Sequence, residues 1–276
     1  GIPFTGSGTE ESIASLTRDA LVDWYRTWIR PSNGTLFVVG DTTMDEILPM
    51  LNERFGKWKE DRRAVPQKNL AEVPLKDSAV YLIDKPGAPQ SLILAGHVAP
   101  PTGVENNIDI TTMNDVIGGS FTARVNMNLR EDKGWAYGAY TFMQDARGQR
   151  PWLAYAPVQT DKTTDSIAEL NREFDEFLGT RPATQDELNK SVRNNVNSLP
   201  GQFETAGAVL GALLSNDRFG RPDDYVSTLK GQYEALGLEN IQGAAEEVLA
   251  PQSLTWLIVG DRAQIESQVR EMGLGE

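Results

Sequence analysis

The chain has 276 residues, of which 39% are hydrophobic and 24% charged, and this composition is typical of a folded protein with one large or two smaller domains. Its formal net charge of −13 repels phosphate backbones, which argues against nucleic-acid binding. No apolar run approaches the roughly 18 residues that span a bilayer, so membrane insertion is not expected. The chain has no cysteine, which excludes disulfides, thiolate metal sites and cysteine nucleophiles. Gly1 to Ser7 lack the basic-then-apolar pattern of a signal peptide.

A helix, a short strand and a second helix are predicted near the start of the chain. Thr17 is expected to cap a helix that ends near residues 30–31, because apolar residues recur three and four apart after it. The apolar run 36–39, closed by the Gly-Asp pair at 40–41, predicts a strand. The apolar positions are Leu21, Trp24, Tyr25, Trp28 and Ile29 in the first helix and Ile47, Leu48 and Leu51 in the second.

The same unit recurs near the end of the chain when 220 is added to each position. The identities in this register are Leu16 with Leu236, Pro31 with Pro251, Thr35 with Thr255, Val39 with Val259, Gly40 with Gly260 and Asp41 with Asp261. They predict a duplicated domain of about 220 residues. The alternative is a chance match, because helix-strand-Gly-Asp units are common in α/β proteins.

Three segments follow from this interpretation. Residues 1–58 are the C-terminal remnant of a preceding domain, and 77–276 form a complete second domain. The linker is 59–76, which is rich in charge and contains Pro66 and Pro74. The chain would then begin inside the first copy, as part of a longer protein.

Within 77–276, strands are followed by several helices, and this order predicts an α+β fold, with a sheet packed against helices, rather than a doubly wound one. The predicted strands are 79–83, 91–98, 137–143, 152–158 and 254–259. The predicted helices are 108–117, 121–129, one through 167–178, one opened by the capping box of Thr184 and Glu187, then 203–214, 223–233, 238–249 and a closing helix. Gly118 and Gly119 separate the first two helices and permit a turn or a close backbone approach.

Several catalytic chemistries are not expected from this chain. His97 is the only histidine, whereas a catalytic zinc site normally takes three protein ligands, usually with more than one histidine. Neither H-E-x-x-H nor H-x-x-E-H is present, and there is no G-x-S-x-G elbow for a serine nucleophile. His97 lies in an apolar strand and is expected to be a packed or solvent-tipped residue. We therefore predict no metal ligand and no nucleotide cofactor in this chain.

Arg130 and Tyr137 lie on either side of a turn predicted at Gly134, where a helix end meets a strand start. Such a turn can bring a guanidinium and a phenol to one spot, and both can donate hydrogen bonds to a peptide carbonyl or a developing oxyanion. Spacing by itself favours a plainer interpretation, in which Arg130 is a cation at a helix C-terminus and Tyr137 a sheet residue. Both interpretations remain open on these grounds.

A set of motifs covers nearly the whole chain. They are Gly8-Thr9-Glu10-Glu11-Ser12-Ile13 through Thr17-Arg18, Arg30-Pro31-Ser32-Asn33, Val38-Val39-Gly40-Asp41, Leu129-Arg130-Glu131 with Gly134 and Tyr137-Gly138-Ala139, and Leu199-Pro200-Gly201-Gln202-Phe203-Glu204-Thr205. Together they resemble the insulinase/pitrilysin family of zinc metallopeptidases, which includes mitochondrial processing peptidase and the core proteins of respiratory complex III. The resemblance implies a processing-peptidase-like α+β domain with a mostly antiparallel sheet.

The resemblance also implies a role in catalysis. Arg130 and Tyr137 correspond to the family pair that hydrogen-bonds the substrate backbone and stabilises the tetrahedral intermediate. Zinc is then held by another domain or subunit that carries H-x-x-E-H, and this chain is the C-terminal half, inactive alone. The expected partners are that zinc-bearing half and a peptide substrate. The alternative is a non-catalytic structural relative like the complex III core proteins. A periplasmic location is suggested because bacterial relatives are often exported.

Overall fold

A computed structural model describes residues 8–60 and 63–275 of the chain. The N-terminal segment Gly1–Ser7, where no signal-peptide pattern was found, lies outside the described residues. So do residues 61–62 of the predicted linker and Glu276 at the end of the predicted second domain.

Backbone contacts divide the chain into two compact units. The first comprises the chain up to Asn69 together with Ala206–Gly211, and the second comprises Leu70–Thr205 and the chain from Ala212 onward. The division after Asn69 falls inside the predicted linker 59–76. That the two units derive from two copies of one domain stays a prediction.

The described part of the first unit contains three helices. They are α1 Glu10–Ala14, α2 Arg18–Trp28 and α3 Met44–Phe55. The predicted cap of α2 is confirmed, because the Thr17 side chain accepts a hydrogen bond from the backbone N–H of Ala20 at 3.2 Å. Thr43 and Glu46 form a capping box that starts α3.

The strand predicted at 36–39 is wrong, since these residues have no regular secondary structure. A strand forms only by pairing its backbone donors and acceptors with a neighbouring strand. The described part of the first unit contains no strand with which this segment could pair. Leu36 and Val38, two members of the apolar run that suggested the strand, are both exposed.

A five-stranded sheet forms the centre of the second unit. The strands are β1 Ala79–Asp84, β2 Gln90–Ala99, β3 Tyr140–Met143, β4 Arg150–Gln159 and β5 Thr255–Gly260. Their spatial order is β1-β5-β2-β4-β3, with β1 and β5 parallel and the other three pairings antiparallel. The predicted mostly antiparallel sheet is confirmed.

The predicted helices of the second domain are also present, with shifted ends. They are α4 Asn107–Asn114, α5 Arg124–Asn126, α6 Thr163–Leu178, α7 Gln185–Ser198, α8 Ala206–Phe219, α9 Tyr225–Glu234, α10 Leu238–Val248 and α11 Arg262–Glu271. The first residues of α8 group with the first unit. Two helices continue as wider π-helical turns, α4 through Asp115–Gly119 and α5 through Met127–Asp132. The predicted capping box of Thr184 and Glu187 starts α7.

The hydrophobic core lies between one face of the sheet and the helices α4, α6 and α10. Helix α6 contacts β2 and β4, and α10 contacts both α4 and α6. The largest fully buried side chains of this core include Ile93, Trp152, Phe174, Phe177 and Trp256. Burying each such side chain stabilises the folded state by about 1.5–3 kcal/mol. This layer therefore holds in place the sheet beside which the candidate site lies. Every helix among the described residues is too short or too polar to cross a membrane.

Candidate functional site

Arg130 lies in the π-helical turn that extends α5. The backbone N–H of Lys133 donates to Asn128 O at 3.0 Å, and that of Gly134 donates to Arg130 O at 3.1 Å. Gly134 then adopts φ +66°, a conformation that a side chain disfavours, and this ends the turn as the sequence predicted. Turns of this wide type occur frequently at functional sites.

Tyr137 is held beside that turn by backbone hydrogen bonds on its N-terminal side. The N–H groups of Trp135 and Ala136 both donate to Leu129 O, at 2.9 and 3.2 Å. Trp135 O in turn accepts from the backbone of Gln159 at the end of β4. Tyr137 itself is 84% exposed, so the phenol projects into solvent from a fixed backbone.

The expected strand from 137 to 143 therefore begins later, at Tyr140. Ala136 forms an isolated bridge with Val158 of β4, but the chain then leaves the sheet. The N–H of Ala139 donates instead to the side chain of Asn126, at 3.0 Å. Tyr137 is consequently a loop residue rather than a sheet residue, which removes one half of the plainer interpretation.

The structure brings Arg130 and Tyr137 together. The guanidinium carbon of Arg130 lies 5.1 Å from the centroid of the Tyr137 ring and 4.6 Å from that of Phe121. Both distances are within the range of cation–π attraction. Arg130 Nε also lies 3.1 Å from Glu131 Oε1. The three residues Phe121, Arg130 and Tyr137 are called the aromatic-arginine stack below.

Phe121 was missed by the sequence analysis. It was assigned to a helix at 121–129, whereas the helix begins at Arg124. The preceding residues form a turn, in which the N–H of Ala123 donates to Ser120 O at 3.1 Å, and Gly118 before it packs closely on β3. A Cβ on Gly118 would lie 2.4 Å from Thr141 Oγ1, so the predicted close backbone approach is present. No spacing in the sequence relates Phe121 to Arg130.

The turn that carries Arg130 is anchored to α6 through Asn128. The buried Asn128 amide donates to Glu169 at 2.6 Å and to Glu173 at 2.7 Å. Burial raises the pKa of Glu169, but hydrogen bonds from Arg172 and Asn128 outweigh it and hold the pKa below its usual range. Glu169 therefore remains a charged acceptor that fixes the turn.

A second anchor joins α5 to α7. Arg124 makes two hydrogen bonds to Glu187, from Nε to one carboxylate oxygen and from Nη2 to the other, each 2.7 Å. Its guanidinium also lies 4.8 Å from the centroid of the Phe177 ring. Burial raises the pKa of Glu187, but the bonds from Arg124 and Thr184 lower it overall. Charged contacts therefore fix both the start of α5, at Arg124, and the turn that follows it, at Asn128.

A pocket of about 310 Å³ lies between the turn after α4 and helix α7. The carboxylate of Asp115 faces it and accepts hydrogen bonds from Ser191 at 3.1 Å and from Asn195 at 2.8 Å. Burial raises the pKa of Asp115, and the two hydrogen bonds oppose that rise. These contacts satisfy the carboxylate within the protein.

The described residues do not fit a zinc ion. Within 8–60 and 63–275, no group of three or more histidine, cysteine, aspartate and glutamate side chains is placed to hold a metal. His97 is half-buried in β2 and stacks on Trp152, with ring centroids 5.3 Å apart. Burial lowers the pKa of His97, so the neutral imidazole is favoured.

The stack can offer hydrogen-bond donors to an oxygen atom. A guanidinium has five N–H donors in a planar fork, and that of Arg130 places Nε against Glu131. The exposed phenol of Tyr137 supplies an O–H on the same surface. Donors that are fixed in advance around a developing negative charge are the usual means of stabilising a tetrahedral intermediate.

Curated relatives of this chain are bacterial proteins about one and a half times its length. An uncharacterized zinc protease YmxG from Bacillus subtilis is 23% identical over 244 residues, which cover 87% of this chain and 57% of the relative. A protein named non-peptidase homolog YmxG from Helicobacter pylori is 22% identical, covering 92% of this chain and 58% of the relative. The chain thus spans a little over half the length of these relatives.

Solved structures share the fold at low sequence identity. The peptidase M16 inactive domain from Pseudomonas fluorescens superposes with a TM-score of 0.80 at 17% identity, over 92% of this chain and 60% of that one. A chain of complex III2 from Candida albicans gives 0.77 at 10% identity, over 97% and 64%. The periplasmic protease PqqL from Escherichia coli gives 0.73 at 15% identity, over 91% and 28%.

A family model identifies the family to which this chain belongs. Residues 15–195 match the model described as the peptidase M16 inactive domain, which is more than half of the chain. This match confirms the resemblance to the C-terminal, non-zinc half of insulinase-family proteins. The chain belongs to the peptidase M16 inactive-domain family.

Proposed function

We propose that this chain is the substrate-binding, C-terminal part of an insulinase-type zinc metalloendopeptidase. In this proposal Arg130 and Tyr137 donate hydrogen bonds to the carbonyl oxygen of the scissile peptide and to the oxyanion that develops from it. A separate half or subunit that carries H-x-x-E-H holds the zinc. The chain by itself is then inactive.

One observation carries the proposal. Arg130 and Tyr137, seven positions apart in sequence, are held 5.1 Å apart on an exposed surface, one on an anchored turn and the other on an anchored loop. Fixed donors of this kind contribute to catalysis because no reorganisation is needed when charge develops. A merely structural cation would not require an aromatic partner that is 84% exposed.

The test is reconstitution with a zinc-bearing half and hydrolysis of a quenched-fluorescence peptide. Arg130→Ala and Tyr137→Phe should each lower kcat by about 10²–10³-fold, as expected for the loss of one oxyanion donor. Tyr137→Phe retains the ring and removes only the hydroxyl, so it tests hydrogen bonding rather than packing. Wild-type rates in both variants would end the catalytic proposal.

Matched controls come from the same chain. Arg270→Ala removes an exposed arginine of α11 that pairs with Glu266, and Tyr81→Phe removes the hydroxyl of an exposed tyrosine on β1. Neither contacts the aromatic-arginine stack in the structure. Both variants should hydrolyse the peptide at the wild-type rate, and binding of each variant to the zinc-bearing half should be measured alongside.

A second candidate function is a structural or assembly role without catalysis. It is favoured by the name of the Helicobacter pylori relative, a non-peptidase homolog, and by the likeness to a chain of complex III2. An exposed and anchored arginine-tyrosine pair argues for the first candidate. Absence of H-x-x-E-H from every partner that co-purifies with the chain would favour the second.

A periplasmic location is proposed from the likeness to the periplasmic protease PqqL. Cell fractionation tests it directly. Recovery of the chain with the osmotic-shock fraction supports the proposal, and recovery with the cytoplasmic fraction overturns it.

A further inference from the structure

Asn126 is a fully buried side chain that bonds to two separate backbone segments at once. Its amide nitrogen donates to Phe121 O at 2.6 Å, and its amide oxygen accepts from the N–H of Ala139 at 3.0 Å. Its exposed fraction is 0%. Both polar atoms of the amide are therefore used inside the protein.

The two segments that Asn126 joins carry the two rings of the aromatic-arginine stack. Phe121 is itself the acceptor, and Ala139 follows Tyr137 by two residues. The hydrogen bonds from Trp135 and Ala136 to Leu129 hold the other end of the tyrosine loop. Without Asn126, the C-terminal side of that loop would be fixed only from Tyr140 onward, where β3 pairs with β4.

The space beside Tyr137 is also filled. A Cβ on Gly138 would lie 2.8 Å from the ring of Tyr140, so the backbone after Tyr137 passes directly against that ring. The tyrosine loop therefore has little freedom to adjust if one of its hydrogen bonds is lost. A shift at Ala139 would be transmitted to Tyr137.

We propose that Asn126 is a positioning residue for Arg130, and that it acts by fixing Phe121 and Tyr137 against the guanidinium. Its part in hydrolysis rests on the proposed function above. Phe121 restricts the rotamers of Arg130, so that its free N–H groups point in one direction. Supporting residues that hold a reacting constellation to within a fraction of an ångström are a general requirement of catalysis.

The physical cost of altering Asn126 follows from its burial. Replacing it by aspartate keeps the acceptor for Ala139 but places a carboxylate oxygen against Phe121 O, which has no donor to offer. A buried acceptor that loses its partner is strongly disfavoured, so the Phe121 connection should move away. Replacing Phe121 by leucine instead removes the ring and leaves both hydrogen bonds intact.

The first readout uses this chain by itself and does not depend on activity. The Hδ and Nε resonances of Arg130 should carry ring-current shifts from Phe121 and Tyr137, which NMR detects. Phe121→Leu should remove the phenylalanine contribution, and Asn126→Asp should remove a substantial part of it. Wild-type positions of the Arg130 resonances in folded Asn126→Asp would overturn the proposal.

Phe121→Leu keeps the test decisive if Asn126→Asp fails to fold, because Phe121 is 53% exposed and its replacement should be tolerated. Asn114→Asp is the matched control for the buried amide, since Asn114 bonds to Thr141 and Trp152 instead. It should lower the melting temperature without moving the Arg130 resonances. Phe142→Leu is the control for an exposed ring.

The second readout is a double-mutant cycle in the reconstituted enzyme with the quenched-fluorescence peptide. Phe121→Leu should lower kcat/KM by about three- to tenfold, the size of one cation–π contact. In an Arg130→Ala background it should have no further effect, because it acts through Arg130. Effects that multiply instead would show that Phe121 acts by another route and overturn the positioning role.

The two readouts separate the two proposals. If Arg130→Ala leaves hydrolysis unchanged, the proposed function fails, while the NMR shifts still decide whether Asn126 positions Arg130. If Arg130→Ala abolishes hydrolysis but Phe121→Leu and Asn126→Asp leave both the shifts and kcat/KM unchanged, the positioning role fails and the proposed function stands.

Discussion

Two regions of the chain share a helix, a 3₁₀ turn and a second helix in the same order, but the first helix is exposed in one region and buried in the other. Helix α2 and helix α10 begin and end 220 positions apart, and each is followed by a 3₁₀ turn, Pro31–Asn33 in one and Pro251–Ser253 in the other. The next residues are an irregular segment after α2 and strand β5 after α10. A further helix closes each region, α3 in the first and α11 in the second.

The exposed residues of the first region occupy the positions that are buried in the second. Leu21 and Trp24 are each 57% exposed, whereas their equivalents Ile241 and Ala244 are 0% and 2% exposed. The full set of equivalent pairs on this helix face is Leu21 with Ile241, Trp24 with Ala244, Tyr25 with Ala245 and Trp28 with Val248. Apolar spacing therefore specifies a helix by itself, but its burial depends on a sheet being present to cover it.

This contrast bears on the domain organisation. The apolar face of α2 has the pattern of a helix that packs on a sheet, as α10 does in the second unit. We propose that residues 1–58 are the end of a preceding peptidase-like domain whose sheet would cover this face. Four experiments test the comparison, in order of decreasing effect.

The largest effect is expected from equivalent substitutions in the two segments after the 3₁₀ turns. Trp256→Ala removes a fully buried ring from β5 and should lower the free energy of unfolding by about 3–5 kcal/mol. Leu36→Ala, at the equivalent position, should change it by less than about 0.5 kcal/mol because Leu36 is exposed. Urea denaturation measures both. Equal losses would contradict the contrast in burial.

The second experiment adds a partner that is expected to cover the apolar face of α2. Mixing the chain with a zinc-bearing half should slow hydrogen exchange in α2 by about tenfold or more, equivalent to about 1.4 kcal/mol of added protection. Exchange in α10 should stay unchanged, because that helix is already covered. If hydrogen exchange in α2 is unaltered although binding is demonstrated, the zinc-bearing half does not cover the apolar face of this helix, which contradicts the proposal.

The third experiment removes the cap of the uncovered helix. Thr17→Ala loses the hydrogen bond to Ala20 and should destabilise α2 by about 1 kcal/mol, because this helix depends on local interactions. Hydrogen exchange in α2 measures the loss, and Thr17→Ser, which retains the hydroxyl, is the control. The equivalent position at α10 is Gly237, which has no side chain to offer. No effect of Thr17→Ala would mean that packing already holds α2.

The smallest effect concerns an ion-pair cluster found in only one of the two regions. Arg262 and Arg270 hold the pKa of Glu266 at about 2, whereas the positions equivalent to the two arginines in the first region are Thr42 and Met50, on either side of Glu46. A lowered pKa stabilises the folded state above the ordinary carboxylate range, and this gain is lost as the pH falls toward 2.

Glu266→Gln should therefore lower the melting temperature slightly at neutral pH, and the difference should shrink as the pH falls. The effect is small because exposed ion pairs contribute little. Thermal unfolding at several pH values and low salt measures it. A difference that grows toward acidic pH would contradict the assigned sign.

Much of the fold could be predicted because its signals are local. The cap at Thr17, the capping box at Thr184 and the alternation in β2 and β4 each depend on neighbouring residues, and each is present in the structure. The strand at 36–39 was predicted from the same kind of pattern and is absent. Its formation needs a partner strand, and pairing is not encoded in the segment itself.

The candidate site was predictable only in part. Arg130 and Tyr137 were recognised through a family resemblance, and the turn that brings them together was signalled by Gly134. Phe121 and Asn126 carry no comparable signal, because their importance arises from contacts across the turn. An asparagine inside a predicted helix gives no indication that both ends of its amide are bonded to separate loops.

Titration of the chain into a zinc-bearing half, with hydrolysis of a quenched-fluorescence peptide as the readout, tests the central claim most directly. The account predicts no hydrolysis by the chain alone and a rate that rises with added chain until the two are equimolar. The Arg130→Ala chain should bind equally well but give a rate about 10²–10³-fold lower. Hydrolysis that is independent of the added chain, or unaffected by Arg130→Ala, would contradict it.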